Sequence, residues 1–579
     1  MAISVSHSPK LRTGWKEGTI IKLDPEPKQV VIRALWALSA ATCCLFCANI
    51  VILLVFGSYD FHLGPLHLVA HQLFKPFLLA GAAFWIAVFL RGLLHQPSSA
   101  AAFPNWLTRL TLLLIVLGLY AAVYIPSAGI NVSDHDWTRS DVSARLRSLP
   151  DAFRLFATPQ LDGFYRPLTY LSLWADYGLF GSALWGYHLQ SILLHALNSM
   201  LVYNLAREFR FERNAAFWVA AWFSLAAMNF EPALWPAARF DLLATAFVLV
   251  SIICFLRYLR DAGSAAAKLV CSAAAYGLAL MNKESAYCVP LLLTAIVLTR
   301  KVWQLDFLAR PKLLRAAFVF AGLTALMLAV RITIYKGLGG YPTTIHGGVS
   351  PHFSFTFKSV TGLVTRVIPI PLFGLNTSVP LSPAMACCII LYVAVIAWVV
   401  VRGASLGKRE LVLVGLALLS ALPALNLTGW VGESMQHSRY LYLPGLWILM
   451  AAATLIARRQ FGNIALALLV AVNLSGVIHN LGVYRTMLGK ARAISQQIAG
   501  ECTQYHANIV DLSGIDSKPF GVFFFRSEIA GTLRAAKPDV CVSLVPGSCE
   551  PGKPALRYEW LPASAGVGVH YLPEGLPRP

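Results

Sequence analysis

Charge is scarce in this chain. Asp, Glu, Lys and Arg make up only 13% of its 579 residues, and just 27 of them are acidic. A soluble globular chain carries about 25% charged residues. Hydrophobic residues reach 57%, and mean hydropathy is +0.63. Water cannot solvate so much apolar surface, so lipid must. The shortage of charge excludes a soluble enzyme and a disordered chain. Cysteine is sparse too, at eleven residues, which excludes a disulfide-stapled secreted domain. Low-complexity tracts and short-period repeats are also missing.

Long apolar runs are what the chain has. A span needs about 20 mostly apolar residues to cross roughly 30 Å of hydrocarbon. Such runs predict helices near 32–56, 68–90, 108–125, 184–205, 214–230, 241–257, 268–281, 286–299, 314–334, 385–401, 410–425, 442–457 and 461–480, about thirteen in all. The neighbours 268–281 and 286–299 are short, so Met281 to Ser285 is expected to turn within the membrane against protein. The fold class expected is an all-α polytopic membrane protein. Its tail alternates apolar and polar runs at His506–Leu512, Gly521–Phe525 and Val540–Val545, with Gly and Pro between them. That pattern predicts a small α/β or β-rich C-terminal domain.

Net charge is +20. In a soluble protein this would suggest nucleic acid. Here the cations gather beside alternate span ends, which is the positive-inside pattern, and no nucleic-acid partner is expected. One set of loops holds Arg207, Arg210 and Arg213, then Arg257, Arg260 and Lys268, then Arg300, Lys301, Arg310, Lys312 and Arg315. Arg402, Lys408, Arg409, Arg458 and Arg459 continue it. The bias predicts a cytoplasmic N-terminal segment, 1–31, with no cleaved signal. It leaves segments 126–183, 335–384 and 481–579 outside. The cysteines divide accordingly: Cys502, Cys541 and Cys549 fall in the external tail, where one disulfide can form and one thiol is left over.

Ionisable residues recur at the outer span ends. Asp134 and Asp136 follow the third span, and Tyr165 and Arg166 precede the fourth. Glu231, Arg239 and Asp241 lie between the fifth and sixth, Lys283 and Glu284 between the seventh and eighth. Glu433, His437, Arg439 and Tyr440 lie between the eleventh and twelfth. Charge at membrane depth is costly and faces a polar cavity or a partner. Five clusters on one side predict a shared cleft that opens outward. Carboxylates in the first external loop and cations at later span ends suit displacement at a sugar carbon, which needs a base and a phosphate clamp. His188 and His195 share a helix face and read first as interhelical hydrogen-bonding groups. Asp134 and Asp136 offer oxygen ligands to a divalent ion such as Mg or Mn, although a D-x-D triplet alone is a weak signal.

With these residues in view, the chain resembles the GT-C superfamily of integral-membrane glycosyltransferases. The likeness is to its protein O-mannosyltransferase-like branch, which includes the transmembrane-and-TPR mannosyltransferases and their bacterial relatives. The phrases that carry it are YRPLTYLSLWADYGLFG from Tyr165, GYHLQSILLHALNSMLVYNL from Gly186 and FEPALWPAARFDLLATAF from Phe230. LALMNKESAYCVPLLL from Leu278 and SRYLYLP from Ser438 complete the series. The resemblance implies a polyprenyl-phosphate-linked sugar donor, possible mannose transfer and inversion at the anomeric carbon. It implies a base at Asp134 or Asp136 and donor-phosphate contacts from Arg439, Lys283 and Arg239. Tyr165 and Arg166 would line the cleft floor, with Glu231, Asp241, Glu284, His437 and Tyr440 around it. The core would span 107–480, preceded by an additional transmembrane hairpin, 32–106. No 34-residue TPR period is present, so the acceptor is a protein, a lipid-linked glycan or a cell-envelope glycan. The setting implied is a bacterial inner membrane, with site and C-terminus on the periplasmic side and membrane lipids around the bundle.

Two other readings fit parts of the pattern. An O-antigen ligase or polymerase would use the late segment 335–384, with His346, His352, Lys358 and Arg366. The first-loop carboxylates would then be idle. A secondary transporter or flippase would show paired halves with broken helices near the midplane, and no internal repeat is visible.

Overall fold

A computed structural model of the chain describes residues 148–159, 164–181, 184–260, 265–305, 310–337, 357–377, 382–401, 407–428, 437–458 and 461–515, with shorter pieces at 59–63, 66–70, 342–343, 348–349, 539–543, 555–561 and 566–572 and single positions within 31–45 and 529–537 and at 146, 431 and 435. Contact clustering divides it into two units, Met1–Ala101 and Ala102–Pro579. In the first unit, strands β1 (Tyr59–Leu63) and β2 (Leu66–Ala70) pair antiparallel, with Leu63 opposite Leu66. β2 thus lies where the second span was expected to begin. Most of 32–56, 68–90 and 108–125 lies outside the described residues.

In the second unit the expected spans within the described residues are helices. These are α1 (Pro167–Phe180), α2 (Leu184–Glu208), α3 (Arg213–Leu225), α4 (Arg239–Arg260), α5 (Ala265–Leu280) and α6 (Val289–Leu298). They continue as α7 (Arg310–Tyr335), α8 (Pro383–Val401), α9 (Lys408–Ala421), α10 (Tyr442–Ala457) and α11 (Gly462–Gln504). Among the described residues α1 was not foreseen, because Asp176 interrupts its apolar run, nor were the helical segments Leu149–Arg154 and 357–372. Pro236–Arg260, Arg310–Tyr335, Ser438–Ala457 and Gly462–Gln504 are each long and apolar enough to cross a membrane. The helices differ in what they face. α3 and α10 are buried along nearly their whole length, and small residues such as Ala216, Ala220 and Ala221 let neighbours approach closely. α7 is mostly exposed, as a lipid-facing helix should be.

Breaks between helices position the site. Between α3 and α4 the chain runs through short turns at Ala227–Asn229, Phe230–Leu234 and Pro236–Ala238, all buried. Pro232 and Pro236 prevent one continuous helix here. Between α5 and α6 a turn at Met281 and Asn282 leads into a 3-10 segment, Glu284–Cys288, much as the short apolar runs predicted. Before α10, Met435 (φ 59°) and His437 (φ 66°) adopt left-handed backbone and turn the chain into Ser438–Leu441. Such conformations cost about 1–2 kcal/mol per residue. Non-helical backbone at membrane depth survives only where protein or a cavity surrounds it.

α11 departs from the expectation. Its 43 residues run on without a break past position 480, a rise of about 65 Å. Its far end packs against a four-stranded sheet of order β4-β3-β5-β6, where β3 is Ile509–Gly514, β4 Cys541–Ser543, β5 Ala555–Leu561 and β6 Gly566–Leu572. β3 is parallel to both β4 and β5, while β5 and β6 are antiparallel. Ser495 donates to the Ile529 carbonyl at 3.3 Å, and Tyr558 donates to Glu501 at 2.6 Å. Strands thus lie where the tail's alternating pattern predicts them, with the end of α11 against them. Cys541 is disulfide-bonded and Cys502 is a buried free thiol. Cys549 lies outside the described residues.

Candidate active site

The breaks before α6 and α10 and the start of α1 meet at one small cleft. It is lined by Arg166, Lys283, Glu284, Arg439 and Tyr440, by Phe164 and Phe240, and by the apolar Pro423, Ala424 and Leu427. Residues from far apart in sequence meet here because the breaks dock on one another. Leu168 N–H reaches the Met281 carbonyl at 3.4 Å, and Thr169 Oγ1 donates to Asn282 Oδ1 at 2.9 Å. These bonds hold the start of α1 against the turn that carries Lys283.

Each cleft cation has a carboxylate and an aromatic face. Arg439 Nη1 donates to Glu231 Oε1 at 2.6 Å, while its backbone N–H and Ser438 Oγ reach Glu231 Oε2. The Arg439 guanidinium also lies over Trp235 and Tyr440, 4.7 and 4.9 Å from their centroids. Lys283 donates to Asp241 and lies 5.1 Å from both Phe240 and Tyr440. Arg166 donates to Glu284 at 2.9 Å and sits 4.2 Å from the centroids of Phe164 and Phe240. Paired carboxylates offset the cost of burying these cations, and the rings orient them. Such a lining suits an anion, above all a phosphate.

The structure brings together most of the residues singled out from the sequence. Arg166, Lys283, Glu284, Arg439 and Tyr440 line the cleft, and Glu231 and Asp241 stand directly behind it. His437 stacks on Tyr440, with ring centroids 5.6 Å apart. Tyr165 turns away and donates to the Phe156 carbonyl at 3.0 Å; burial pushes its phenol above its ordinary pKa. Arg239 is not brought to the cleft. It is fully buried, pairs with Asp176 at 2.5 Å and donates to the Tyr187 carbonyl at 2.8 Å. Asp134, Asp136 and Glu433 lie outside the described residues.

Asp176 and Arg331 were missed. Each is a single charge inside an apolar run, and that isolation is the signal that marks a buried partner. His195 makes interhelical hydrogen bonds. His195 Nδ1 lies 2.7 Å from Tyr442 Oη and its Nε2 3.1 Å from the Ser224 carbonyl. A carbonyl only accepts, so Nε2 carries the proton and Nδ1 accepts from Tyr442. Asn198 donates to the same hydroxyl at 3.2 Å. Among the described residues no group of His, Cys, Asp and Glu is arranged to hold a metal ion.

Residues 166–331 match the family model described as dolichyl-phosphate-mannose-protein mannosyltransferase. No curated protein sequence matches the chain. Among solved structures, the Archaeoglobus fulgidus oligosaccharyltransferase in its apo form is similar at 12% identity and TM-score 0.41, over 76% of this chain and 65% of that one. The chain thus spans just under two thirds of that enzyme's length. ArnT from Cupriavidus metallidurans, bound to undecaprenyl phosphate, is similar at 13% identity and TM-score 0.39, over 79% of this chain and 93% of that one. The family match falls on the segment that builds the cleft's cationic lining from Arg166 through Lys283. Over that segment the chain is similar to the dolichyl-phosphate-mannose-protein mannosyltransferase family.

Proposed function

We propose that the chain transfers a sugar from a polyprenyl-phosphate-linked donor to an acceptor hydroxyl at the outer face of the membrane, with inversion. The observation that carries this reading is the mixed lining of the cleft. Pro423, Ala424 and Leu427 offer apolar contact to a prenyl tail, and Arg166, Lys283 and Arg439 line the same cleft with three cations for the phosphate. In the reaction, Asp134 or Asp136 takes the acceptor's hydroxyl proton as its oxygen attacks the anomeric carbon. The bond from that carbon to the phosphate oxygen breaks, and its electron pair leaves with the polyprenyl phosphate. Negative charge then grows where the cations already stand, which favours the transition state over the ground state.

The finer assignments belong to the same proposal. The sugar is mannose in the first instance, after the family match, and the acceptor a protein, lipid or glycan. The N-terminus is cytoplasmic in a bacterial inner membrane, with cleft and tail periplasmic; the Cys541 disulfide supports an oxidising setting for the tail. Units 1–31, 32–106, 107–480 and 481–579 act as tail, added hairpin, catalytic core and external domain. The test is transfer of radiolabelled mannose from polyprenyl-phosphate-mannose by the purified full chain. Label in acceptor and free polyprenyl phosphate in equal amounts is the expected result. Movement of intact donor across vesicles without sugar release would overturn it in favour of a flippase.

A further inference from the structure

Arg331 stands out on α7. That helix is mostly exposed, and its buried residues are Ala316, Phe320, Met327 and Arg331. Their spacing places them on one face, and three of the four are apolar. Arg331 is only 3% exposed. A guanidinium at this depth needs a specific partner, since an apolar residue would pack α7 against the bundle more cheaply.

Its partner leads to the cleft. Arg331 Nη1 donates to Glu284 Oε1 at 2.9 Å, and Arg166 Nη2 donates to Glu284 Oε2 at 2.9 Å. One carboxylate therefore links two guanidiniums, one oxygen to each. Phe164 and Phe240 hold the Arg166 plane by its faces, which still leaves rotation within that plane. The bond to Glu284 restrains that rotation. Arg331 in turn holds Glu284, itself on a short 3-10 turn rather than a long helix.

We infer that Arg331 is a positioning residue: acting through Glu284, it sets the orientation in which Arg166 meets the donor's phosphate. This rests on the polyprenyl-phosphate reading above, in which Arg166 meets the phosphate beside Lys283 and Arg439. A planar fork is productive only in the correct rotation, so the aim of Arg166 matters as much as its charge.

The test uses the full chain in nanodiscs and measures binding of a polyprenyl monophosphate, with phosphatidylglycerol as competitor, together with melting temperature. Arg331→Gln is expected to weaken binding about tenfold, in line with a misaimed charge-assisted contact. Arg331→Lys should recover much of that loss by holding Glu284 again. In an Arg166→Ala background, Arg331→Gln should add almost nothing, because it acts through the side chain already removed. In turnover, the donor KM should rise with Arg331→Gln more than kcat falls. Should Arg331→Gln fail to fold, Glu284→Gln keeps the shape and is expected to give the same tenfold loss. Unchanged affinity with a lowered melting temperature would overturn the inference and leave Arg331 as a structural pin. An equal loss in the Arg166→Ala background would overturn it as well. If the unaltered chain binds no polyprenyl monophosphate, or phosphatidylglycerol displaces it equally well, the donor reading itself fails, and this inference with it.

Discussion

Arg439 and Glu231 meet at 2.6 Å, and both side chains are only 6% exposed. The two lie 208 positions apart in the chain. Glu231 accepts three hydrogen bonds, two from Arg439 and one from Ser438. That arrangement suits Glu231 to holding a guanidinium in place.

Arg439→Lys should lower kcat, and Arg439→Ala should lower it further, by about 10²–10³-fold if the guanidinium stabilises the departing phosphate. The alanine variant should also melt lower, since it leaves Glu231 buried without its cation. Steady-state transfer kinetics and a thermal melt check both parts. A wild-type kcat in the alanine variant would remove Arg439 from the departure step.

Asp134→Asn or Asp136→Asn should cost about 10²–10⁴ in rate while donor binding persists. Only one of the two is expected to behave so. Near-full activity in both single variants would place the base elsewhere.

Arg239 should behave differently from the cleft cations. Its pair with Asp176 has both side chains fully buried, so Arg239→Ala is expected to destabilise the fold by about 3–5 kcal/mol. Replacing both partners, Arg239→Met with Asp176→Leu, should restore much of that stability and most of the activity. Yield of monodisperse protein and melting temperature report the first effect, and donor KM the second. A raised KM with normal stability would return Arg239 to the donor site.

A reporter active only outside the cytoplasm, fused after Pro579, should be active. The expectation rests on the alternation of Lys and Arg along the loops. Activity of a cytoplasm-only reporter at that position would invert the topology.

The tail should show an alkaline limit. Burial, and then the neighbouring Glu501 carboxylate, raise the Tyr558 phenol above its usual pKa of 10. The folded tail therefore prefers the neutral phenol, which donates to Glu501 at 2.6 Å. This contribution is complete below pH 10 and is lost as pH rises beyond it. Tyr558→Phe should lower stability at neutral pH by about 1.5–3 kcal/mol, the value of a hydrogen bond to a charged group. It should also flatten the alkaline loss, as followed by circular dichroism of the tail's sheet.

Composition and hydropathy sufficed for the membrane class, since a chain so poor in charge must expose apolar surface to lipid. Apolar runs likewise predicted the helices from α2 to α11, and the short runs around Met281 predicted the break there. Helix hydrogen bonds are local, which is why a linear reading reaches them. The cleft's separate cations were legible too, because charge at a span end is conspicuous wherever it is. Partnership was not. Arg166 and Glu284 are 118 positions apart, Arg331 and Glu284 47, and Lys283 and Asp241 42. Nothing along the chain says that Arg239 answers Asp176 while Arg439 answers Glu231. That choice is made when the breaks dock, because a buried charge settles only where packing brings an opposite charge within hydrogen-bonding distance. For the same reason Asp176 and Arg331 look like interruptions in apolar helices until the tertiary structure supplies their partners.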